Sequence, residues 1–308
     1  MKIFAGDSNP ELAASIARQL GQELGHIHLR RFSDGEMAVK YSDNIRGRDV
    51  FIIQSTCPPA DNIMQLLLML DAARRASAER ITAVLPYFGY ARQDRKDQPR
   101  VAIGAKLVAD LLVSAGAERV LTMDLHAAQI QGFFNIPFDH IYASTVFIPY
   151  WRAQGIQDLT ILAPDIGSIK MARAYAQRLD AGLAVIDKRR PEPNRSEVMN
   201  LIGEVENRNV LILDDMVDTA GTVTLAAKTV LDRGATSVRC ACTHPVLSGP
   251  AMERIDSAGV CEFVITDTIP LRDNADRNMF RVISVAEVFA DAIKRIHDEE
   301  SLSSLFVE

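Results

Sequence analysis

The stretch VLILDDMVDTAGT, residues 210–222, decides how the whole chain is interpreted. Its first four residues are a continuous apolar run, which predicts a buried strand over 210–213 that is followed at once by Asp214 and Asp215. The residues after them predict a short loop leading into a helix that begins near Val223. A buried strand followed at once by a turn and a helix is typical of a parallel sheet covered by helices.

The same order of strand and helix recurs along the chain. Apolar runs of strand length lie at 50–54, 81–85, 120–123, 160–162, 183–186, 238–242 and 263–266. Apolar residues at helical spacing lie at 63–73, 103–115, 170–179, 222–233 and 286–296. A first helix is predicted to begin at Pro10 with Asn9 as its cap, and its apolar spacing continues to Leu24. The alternation predicts an α/β fold of mostly parallel sheets flanked by helices.

The length of 308 residues predicts about two domains. A strand that gives way to a helix near residues 141–145 places the boundary, so we expect domains at 1–143 and 144–308. We expect that the last residues can pack back on the first domain.

Composition excludes several classes of protein. With 48% apolar and 24% charged residues, the chain is neither disordered, collagen-like nor a coiled coil. It has no apolar run of about 18 residues and no apolar stretch at its start, so we expect no membrane contact and a cytoplasmic location. A net charge of −6 disfavours a nucleic acid as the main partner.

Four cysteines without a CxxC pair predict reduced, buried thiols. Cys240, Cys242 and His244 imitate a metal cluster. Two cysteines at a spacing of two lie on one face of a strand, however, and small buried apolar residues are the favoured interpretation.

The loop after residue 217 has the chemistry of a phosphate site. An anion placed there would meet backbone N–H groups and the positive end of a helix dipole. Thr219 and Thr222 add hydroxyl donors, and Gly221 permits close approach of a ligand. Asp214 and Asp215 suit hydroxyl groups, so a ligand such as ribose 5-phosphate fits. The alternative is a solvated turn with an Asp/Thr cap. It stays open because a short motif alone is weak evidence for a binding site.

Two charged loops, 87–100 and 187–195, break the pattern. We expect neither loop to be part of a core. Long charged loops at the carboxyl ends of strands are where α/β sheets bind ligands.

The motif DDMVDTAGT resembles the ribose-phosphate loop of type I phosphoribosyltransferases and phosphoribosyl pyrophosphate synthetases. Further segments resemble class I ribose-phosphate diphosphokinases, almost from end to end. They are RFSDGE (31–36), YARQDRKD (90–97), MDLHAAQIQGFF (123–134), DKRRPEPN (187–194) and THPVLSGPA (243–251). The resemblance implies two similar phosphoribosyltransferase-like domains. It also implies transfer of the diphosphoryl group of ATP to the anomeric hydroxyl of ribose 5-phosphate.

The resemblance also implies roles for individual residues. The residues implied at ATP are Phe32, Asp34, Gly35, Glu36, Arg92, Gln93 and Asp97. The residues implied at ribose 5-phosphate are Arg190, Asp214, Asp215, Asp218, Thr219, Ala220, Gly221 and Thr222. His126 and Asp165 would bind Mg²⁺, and Lys188 and Arg190 would be catalytic residues on a mobile loop. Because RFSDGE comes from a neighbouring subunit in this family, a homo-oligomer is implied, usually a hexamer built from dimers, with phosphate and ADP as allosteric effectors.

Each of these residues has a simpler interpretation as well. His126 would be a satisfied histidine beside a strand end, the Lys188–Arg190 run a solvated basic turn, and Phe32 a core residue. A phosphoribosyltransferase and a catalytically silent regulatory subunit are the rival functions. The ATP-type segments argue against the first, and the presence of Lys188, Arg190 and His126 argues against the second.

The chain departs from the family pattern at a few positions. Ser168 replaces the second of two glycines that usually follow Asp165, and it is expected to narrow the space near the metal or the ribose. Ala102 and Ser304 also differ, in regions that the family places near its allosteric site, so regulation is more in doubt than catalysis.

Overall fold

A computed structural model of the chain describes residues 1–189, 198–272 and 275–305, without the side chains of 188, 189, 198, 199 and 304. Its strands are β1 (Lys2–Ala5), β2 (Ile27–Arg31), β3 (Met37–Tyr41), β4 (Asp49–Ile53), β5 (Arg80–Leu85), β6 (Arg119–Met123), β7 (Phe138–Ile141), β8 (Leu159–Ala163), β9 (Gly182–Arg189), β10 (Val198–Ile202), β11 (Asn209–Val217), β12 (Ser237–Pro245), β13 (Glu262–Thr266) and β14 (Phe280–Ile283). Its helices are α1 (Pro10–Gln19), α2 (Asp61–Arg75), α3 (Gly104–Ala115), α4 (Ser144–Gln154), α5 (Ile169–Leu179), α6 (Gly221–Asp232), α7 (Ala251–Asp256) and α8 (Ala286–His297).

The chain divides into two compact units. The first contains Met1–Tyr142, Thr268–Pro270 and residues 284–305. Its five-stranded sheet has the order β1-β4-β5-β6-β7, and every neighbouring pair in it is parallel. β2 and β3 form a separate antiparallel hairpin.

The second unit contains Ala143–Asp267 and Leu271–Ile283. Its seven-stranded sheet has the order β10-β9-β8-β11-β12-β13-β14. All neighbours are parallel except the edge strand β10, which runs antiparallel to β9. The prediction of an α/β fold built on mostly parallel, helix-flanked sheets is confirmed.

Each unit has its own apolar core, because parallel strands are buried along their whole length. All five residues of β4 are buried. In the second unit, Ile212 and Cys240 pair across β11 and β12, and both are fully buried. Among residues 1–189, 198–272 and 275–305, none of the helices has both the length and the apolar character that crossing a bilayer requires.

The predicted cap of α1 is confirmed, since the Asn9 side chain accepts a hydrogen bond from the Leu12 N–H at 3.3 Å. The helix ends at Gln19, however, so the predicted continuation to Leu24 is wrong.

Helix α8 lies in the first unit, where it packs against α1. A charged cluster attaches its end to the sheet. Arg80 donates from Nε to Asp49 Oδ1 at 3.0 Å and from Nη2 to the Ile296 carbonyl at 3.0 Å. His297 Nδ1 lies 2.8 Å from Asp49 Oδ2. Asp49 is buried, so this contact joins α8 to the beginnings of β4 and β5.

Candidate active site

The acid pair Asp214 and Asp215 lies inside β11 and not after it, so the predicted strand end at Leu213 is wrong by four residues. The strand continues because β11 stays paired with β12 as far as Val217. On its other side, β11 pairs with β8 only up to Ile212. The acid pair therefore lies on a part of β11 that stays paired with β12 on one side and extends past the pairing with β8 on the other.

Burial controls the chemistry of the Asp214 carboxyl and raises its pKa well above the ordinary value. The negative charge of Asp215 raises the pKa further, and that of Asp165 adds a smaller contribution. Asp214 Oδ1 also accepts a hydrogen bond from the Asp215 N–H at 3.0 Å. Three carboxyl groups thus lie within electrostatic reach of one another, an arrangement that attracts hydroxyl donors or a cation.

The loop after the acid pair meets α6 at Ala220 and Gly221. Ala220 is in the left-handed region with a φ of +59°, and α6 begins at Gly221, two residues before the predicted start at Val223. The Ala220 carbonyl accepts hydrogen bonds from the Thr224 N–H at 3.0 Å and hydroxyl at 2.7 Å. The cap position makes no side-chain hydrogen bond. The N–H groups of the first turn of α6 are therefore suited to an anion.

Side chains from the segment after β12 hold this loop in place. The Ser248 hydroxyl donates to the Asp218 carboxylate, and the Ser248 N–H donates to the Asp218 carbonyl at 2.9 Å. Arg254 of α7 donates from Nη1 to the Thr219 carbonyl at 2.9 Å. Neither Ser248 nor Arg254 was predicted from the sequence to have a role, because both act on the loop from a distant part of the chain.

Asp165 follows β8 and belongs to the same unit as the acid pair. Its Oδ1 accepts hydrogen bonds from the Ser168 N–H at 3.1 Å and the Ser168 hydroxyl at 2.8 Å. Ser168 is buried, so the serine that replaces a family glycine restrains this carboxylate. Oδ2 makes no hydrogen bond to any residue that the structure describes, and it can bind another group.

The RFSDGE segment forms the tip of the β2–β3 hairpin. The Phe32 N–H donates to the Glu36 carbonyl at 2.8 Å, and Gly35 has a φ of +97°. All residues of the segment, including Asp34, are exposed. The alternative that Phe32 is a core residue is wrong, since it is 47% exposed beneath the Arg30 guanidinium, 4.9 Å from its ring centroid.

The loop after β5 carries three more of the predicted ATP residues. Arg92, Gln93 and Asp97 are exposed. The beginning of the loop is not, because Phe88 and Ala91 are buried in the first core. The expectation that this loop contributes nothing to a core is therefore wrong for its first residues.

His126 follows β6, the strand that neighbours β5 in the sheet. Its side chain is exposed. Asp124 has a φ of +37°, an unusual value for a residue other than glycine. The Leu125 N–H donates to Nε2 of His140, a buried residue of β7, at 2.9 Å. The turn before His126 thus depends on a buried histidine that the sequence analysis did not single out.

The loops after β5 and β6 contact each other directly. Gln129 donates from Nε2 to Asp94 Oδ2 at 2.8 Å. Because β5 and β6 are parallel neighbours, their carboxyl ends lie at the same edge of the sheet. The first unit therefore brings the segment from Arg92 to Asp97 and the turn of His126 to one edge.

Lys188 lies in β9, where it pairs with Met199 of β10. The interpretation of residues 187–189 as loop is therefore wrong, since they continue the strand. Arg190 and the rest of the predicted loop up to Arg195 lie outside the described residues, as does the Lys188 side chain.

The cysteine prediction is confirmed for Cys57, Cys240 and Cys242 and wrong for Cys261, which is exposed. Cys240 and Cys242 lie on β12, and burial raises the pKa of both thiols well above the ordinary value. They are structural residues of the second core.

Over the described ranges, no group of three or more His, Cys, Asp or Glu side chains could by itself hold a metal ion. Mg²⁺ usually binds one or two carboxylates and completes its shell with water and substrate phosphates. The Oδ2 atom of Asp165 fits that pattern. His126 offers a nitrogen, a less usual donor for Mg²⁺.

Comparison with known proteins identifies the family. Residues 1–116 match the family model described as the N-terminal domain of ribose phosphate pyrophosphokinase. Residues 190–307 match the model of a phosphoribosyl synthetase-associated domain.

Relatives match the chain over almost its whole length. The ribose-phosphate pyrophosphokinase of Chlorobaculum tepidum is 55% identical over 99% of this chain and 95% of its own. That of Clostridium perfringens is 54% identical over 99% of this chain and 97% of its own. The crystal structure of phosphoribosylpyrophosphate synthetase from Mycobacterium smegmatis is 37% identical, with a TM-score of 0.91 over 97% of this chain and 99% of that one. The chain therefore belongs to the ribose-phosphate pyrophosphokinase family and is a transferase.

Proposed function

We propose that the chain transfers the diphosphoryl group of ATP to the anomeric hydroxyl of ribose 5-phosphate, giving 5-phosphoribosyl 1-diphosphate and AMP. The observation that carries the proposal is the junction of β11 and α6. There an acid pair in a strand precedes a helix start whose N–H groups are suited to an anion. A ligand with hydroxyl groups at one end and a phosphate at the other matches both features.

The sugar phosphate would lie along this junction. The residues assigned to the sugar phosphate at the start of α6 are Asp218, Thr219, Ala220, Gly221 and Thr222, whose N–H and hydroxyl groups would meet the phosphate. Asp214 and Asp215 would accept hydrogen bonds from the ribose hydroxyls, because carboxylates repel a phosphate but attract hydroxyl donors. Asp214 or Asp215 would take the proton that the attacking hydroxyl loses.

The first unit would bind ATP. The residues assigned to this nucleotide are Phe32, Asp34, Gly35, Glu36, Arg92, Gln93 and Asp97. The exposure of the entire RFSDGE tip supports its donation to the site of a neighbouring copy. We therefore propose a homo-oligomer, a hexamer built from dimers, in which the ring of Phe32 lies against the adenine.

Mg²⁺ would be held by Asp165 and His126 together with oxygens of ATP. When bound, the ion would neutralise charge on the phosphates, as in other phosphoryl-transfer enzymes. Asp165 is prepared for this role, because the hydrogen bonds from Ser168 fix Oδ1 and leave Oδ2 to face a ligand.

Lys188 and Arg190 would supply positive charge to the diphosphoryl group as it is transferred. Such transfer depends mainly on positioning and electrostatic stabilisation. Lys188 belongs to the end of β9, and Arg190 follows that strand in the sequence.

The remaining assignments follow the family. We propose that residues 1–143 form the ATP-side domain and residues 144–308 the domain that binds ribose 5-phosphate, with the last residues, which include α8, packing back on the first domain. Inorganic phosphate and ADP would act as effectors, and the enzyme would work in the cytoplasm.

One assay tests the function and the observation on which it depends. The purified protein is incubated with Mg²⁺ and ATP, and AMP is measured with ribose 5-phosphate or with unphosphorylated ribose. We expect AMP only with the phosphorylated sugar, because the start of α6 binds the phosphate. AMP release that is independent of the sugar phosphate would contradict the proposal.

Two matched variants test where the phosphate of the sugar binds. Thr222→Val removes a hydroxyl in the first turn of α6, and Thr229→Val removes one two turns further along the same helix. Loss of a hydrogen bond to a charged group raises the KM for ribose 5-phosphate by roughly tenfold or more in the first variant. The KM of the second variant should stay at the wild-type value.

A further inference from the structure

We propose that Arg254 is a positioning residue of the sugar-phosphate site, which it shapes by holding the carbonyl of Thr219. This inference rests on the proposed function, because it assigns a task to the loop only if the loop binds the sugar phosphate. Arg254 lies in α7, outside the strand, loop and helix to which the site residues belong.

One nitrogen of Arg254 lies beside the loop's unusual residue. Nη1 donates to the Thr219 carbonyl at 2.9 Å. The same nitrogen would lie 3.3 Å from a Cβ added to Gly221. Ala220, between these two residues, has the left-handed φ of +59°. Arg254 therefore contacts the loop at the place where its backbone is strained.

The contact fixes the direction of an N–H group. In a planar trans peptide, the carbonyl of one residue and the N–H of the next point in opposite directions. When Arg254 holds the Thr219 carbonyl on one side, the Ala220 N–H must point to the other side. We assign that N–H to the phosphate, beside the N–H groups of the first turn of α6.

A second contact from the same segment supports this function. Ser248 holds Asp218 through both its hydroxyl and its N–H. The two loop residues that precede Ala220 are thus both anchored from outside the loop. A guanidinium is suited to the task, since it keeps its charge and presents its donors in a rigid plane.

Charge is a smaller part of the effect. Arg254 is exposed, and among the residues that the structure describes no carboxylate forms an ion pair with it. Its charge is therefore available to the anion, but screening by solvent weakens it.

The test compares five variants of the full-length protein in the AMP assay. Arg254→Ala removes the hydrogen bond and the charge, and we expect the KM for ribose 5-phosphate to rise roughly tenfold, as for loss of one hydrogen bond in a charged site. Both kcat and the KM for ATP should stay within about twofold, because the variant alters positioning of the sugar phosphate only. Arg254→Gln keeps an N–H donor without the charge and should recover most of the affinity.

The decisive variant is Arg254→Ala combined with Ala220→Gly, measured against Ala220→Gly alone. Glycine adopts the left-handed conformation without strain, so the loop no longer needs Arg254 to hold it. The ratio of KM values between the two should fall to about twofold. Arg233→Ala is the matched control, since it removes an exposed charge at the other end of α6 and should leave the KM unchanged.

The outcomes separate the two proposals. If the wild-type protein releases no AMP with ribose 5-phosphate, the proposed function fails before the variants are considered. If it does, but Arg254→Ala keeps the wild-type KM, Arg254 has no role in the site. Equal losses in Arg254→Ala and Arg254→Gln, with no rescue by glycine, would overturn the positioning role in favour of a direct charge contact.

Discussion

The turn that presents His126 provides a quantitative test of the site. His140 accepts a hydrogen bond from the Leu125 N–H at 2.9 Å and is only 3% exposed. Its ring centroid also lies 4.4 Å from that of Tyr142. His140→Ala removes both contacts and leaves a buried N–H without its acceptor.

The cost follows from these contacts. A buried donor without an acceptor costs about 1–3 kcal/mol, and loss of the packed ring brings the total to about 2–4 kcal/mol. In a unit of this size, each kcal/mol lowers the melting temperature by about 2–4 °C, so we expect a decrease of about 4–16 °C. Asp124 has an unusual positive φ, and without His140 the turn is free to relax.

Two measurements test this reasoning. Thermal unfolding gives the stability, and AMP release against Mg²⁺ concentration shows whether His126 is still in place. We expect His140→Ala to need more Mg²⁺, and His140→Gln, whose side-chain oxygen reaches the position of Nε2, to restore both properties. His28→Ala, at an exposed position of β2, is the control. An unchanged melting temperature and Mg²⁺ requirement in His140→Ala would refute the role of His140.

Three further changes have defined outcomes. Lys188→Ala should lower the rate of AMP release at least about a hundredfold, because that is the usual effect of losing one donor to a transition state. The sedimentation coefficient should stay unchanged. Near-normal AMP release would remove Lys188 from the mechanism. Because the pKa of Asp214 is raised, its carboxyl keeps a proton in the folded protein at pH values where the unfolded chain has already lost it. The free energy of unfolding should therefore fall as the pH rises above the ordinary carboxyl pKa. Asp214→Asn should remove this fall while abolishing ribose 5-phosphate binding, as urea unfolding at several pH values and direct binding measurements would show. Arg80→Met leaves Asp49, which is 8% exposed, with His297 as its remaining partner and should cost about 2–4 kcal/mol by urea unfolding. Asp49→Asn with Arg80→Met should cost less, and equal costs would show that the ion pair is unimportant.

The fold was predictable because local signals and tertiary packing agree in most of the chain. Apolar runs such as residues 81–85 and 120–123 are buried in the sheet on both faces, so they have no other stable location. The β2–β3 hairpin was not predicted, since its strands are half-exposed and rich in polar residues. The end of β11 was misplaced because Asp214 and Asp215 suggest a strand end, whereas pairing with β12 continues past them.

The site was predictable only where a motif carries its chemistry. The resemblance named Asp165 and the loop from Asp218 to Thr222, and the structure describes all of these residues. Arg254 and His140 escaped notice because each acts on a backbone atom, the Thr219 carbonyl or the Leu125 N–H. A backbone atom has the same chemistry at every residue, so no local pattern reveals which side chain will contact it.

The position of α8 in the first unit has a consequence for synthesis of the protein. Phe289 and Ile293 of α8 are fully buried in that unit, and His297 and Ile296 contact Asp49 and Arg80. A ribosome makes residues 1–142 well before residues 286–297. The nascent first unit therefore waits, with the surface meant for α8 uncovered, while more than a hundred further residues are added at about 5–20 per second. Chaperones that shield apolar surface would have several seconds in which to act on it.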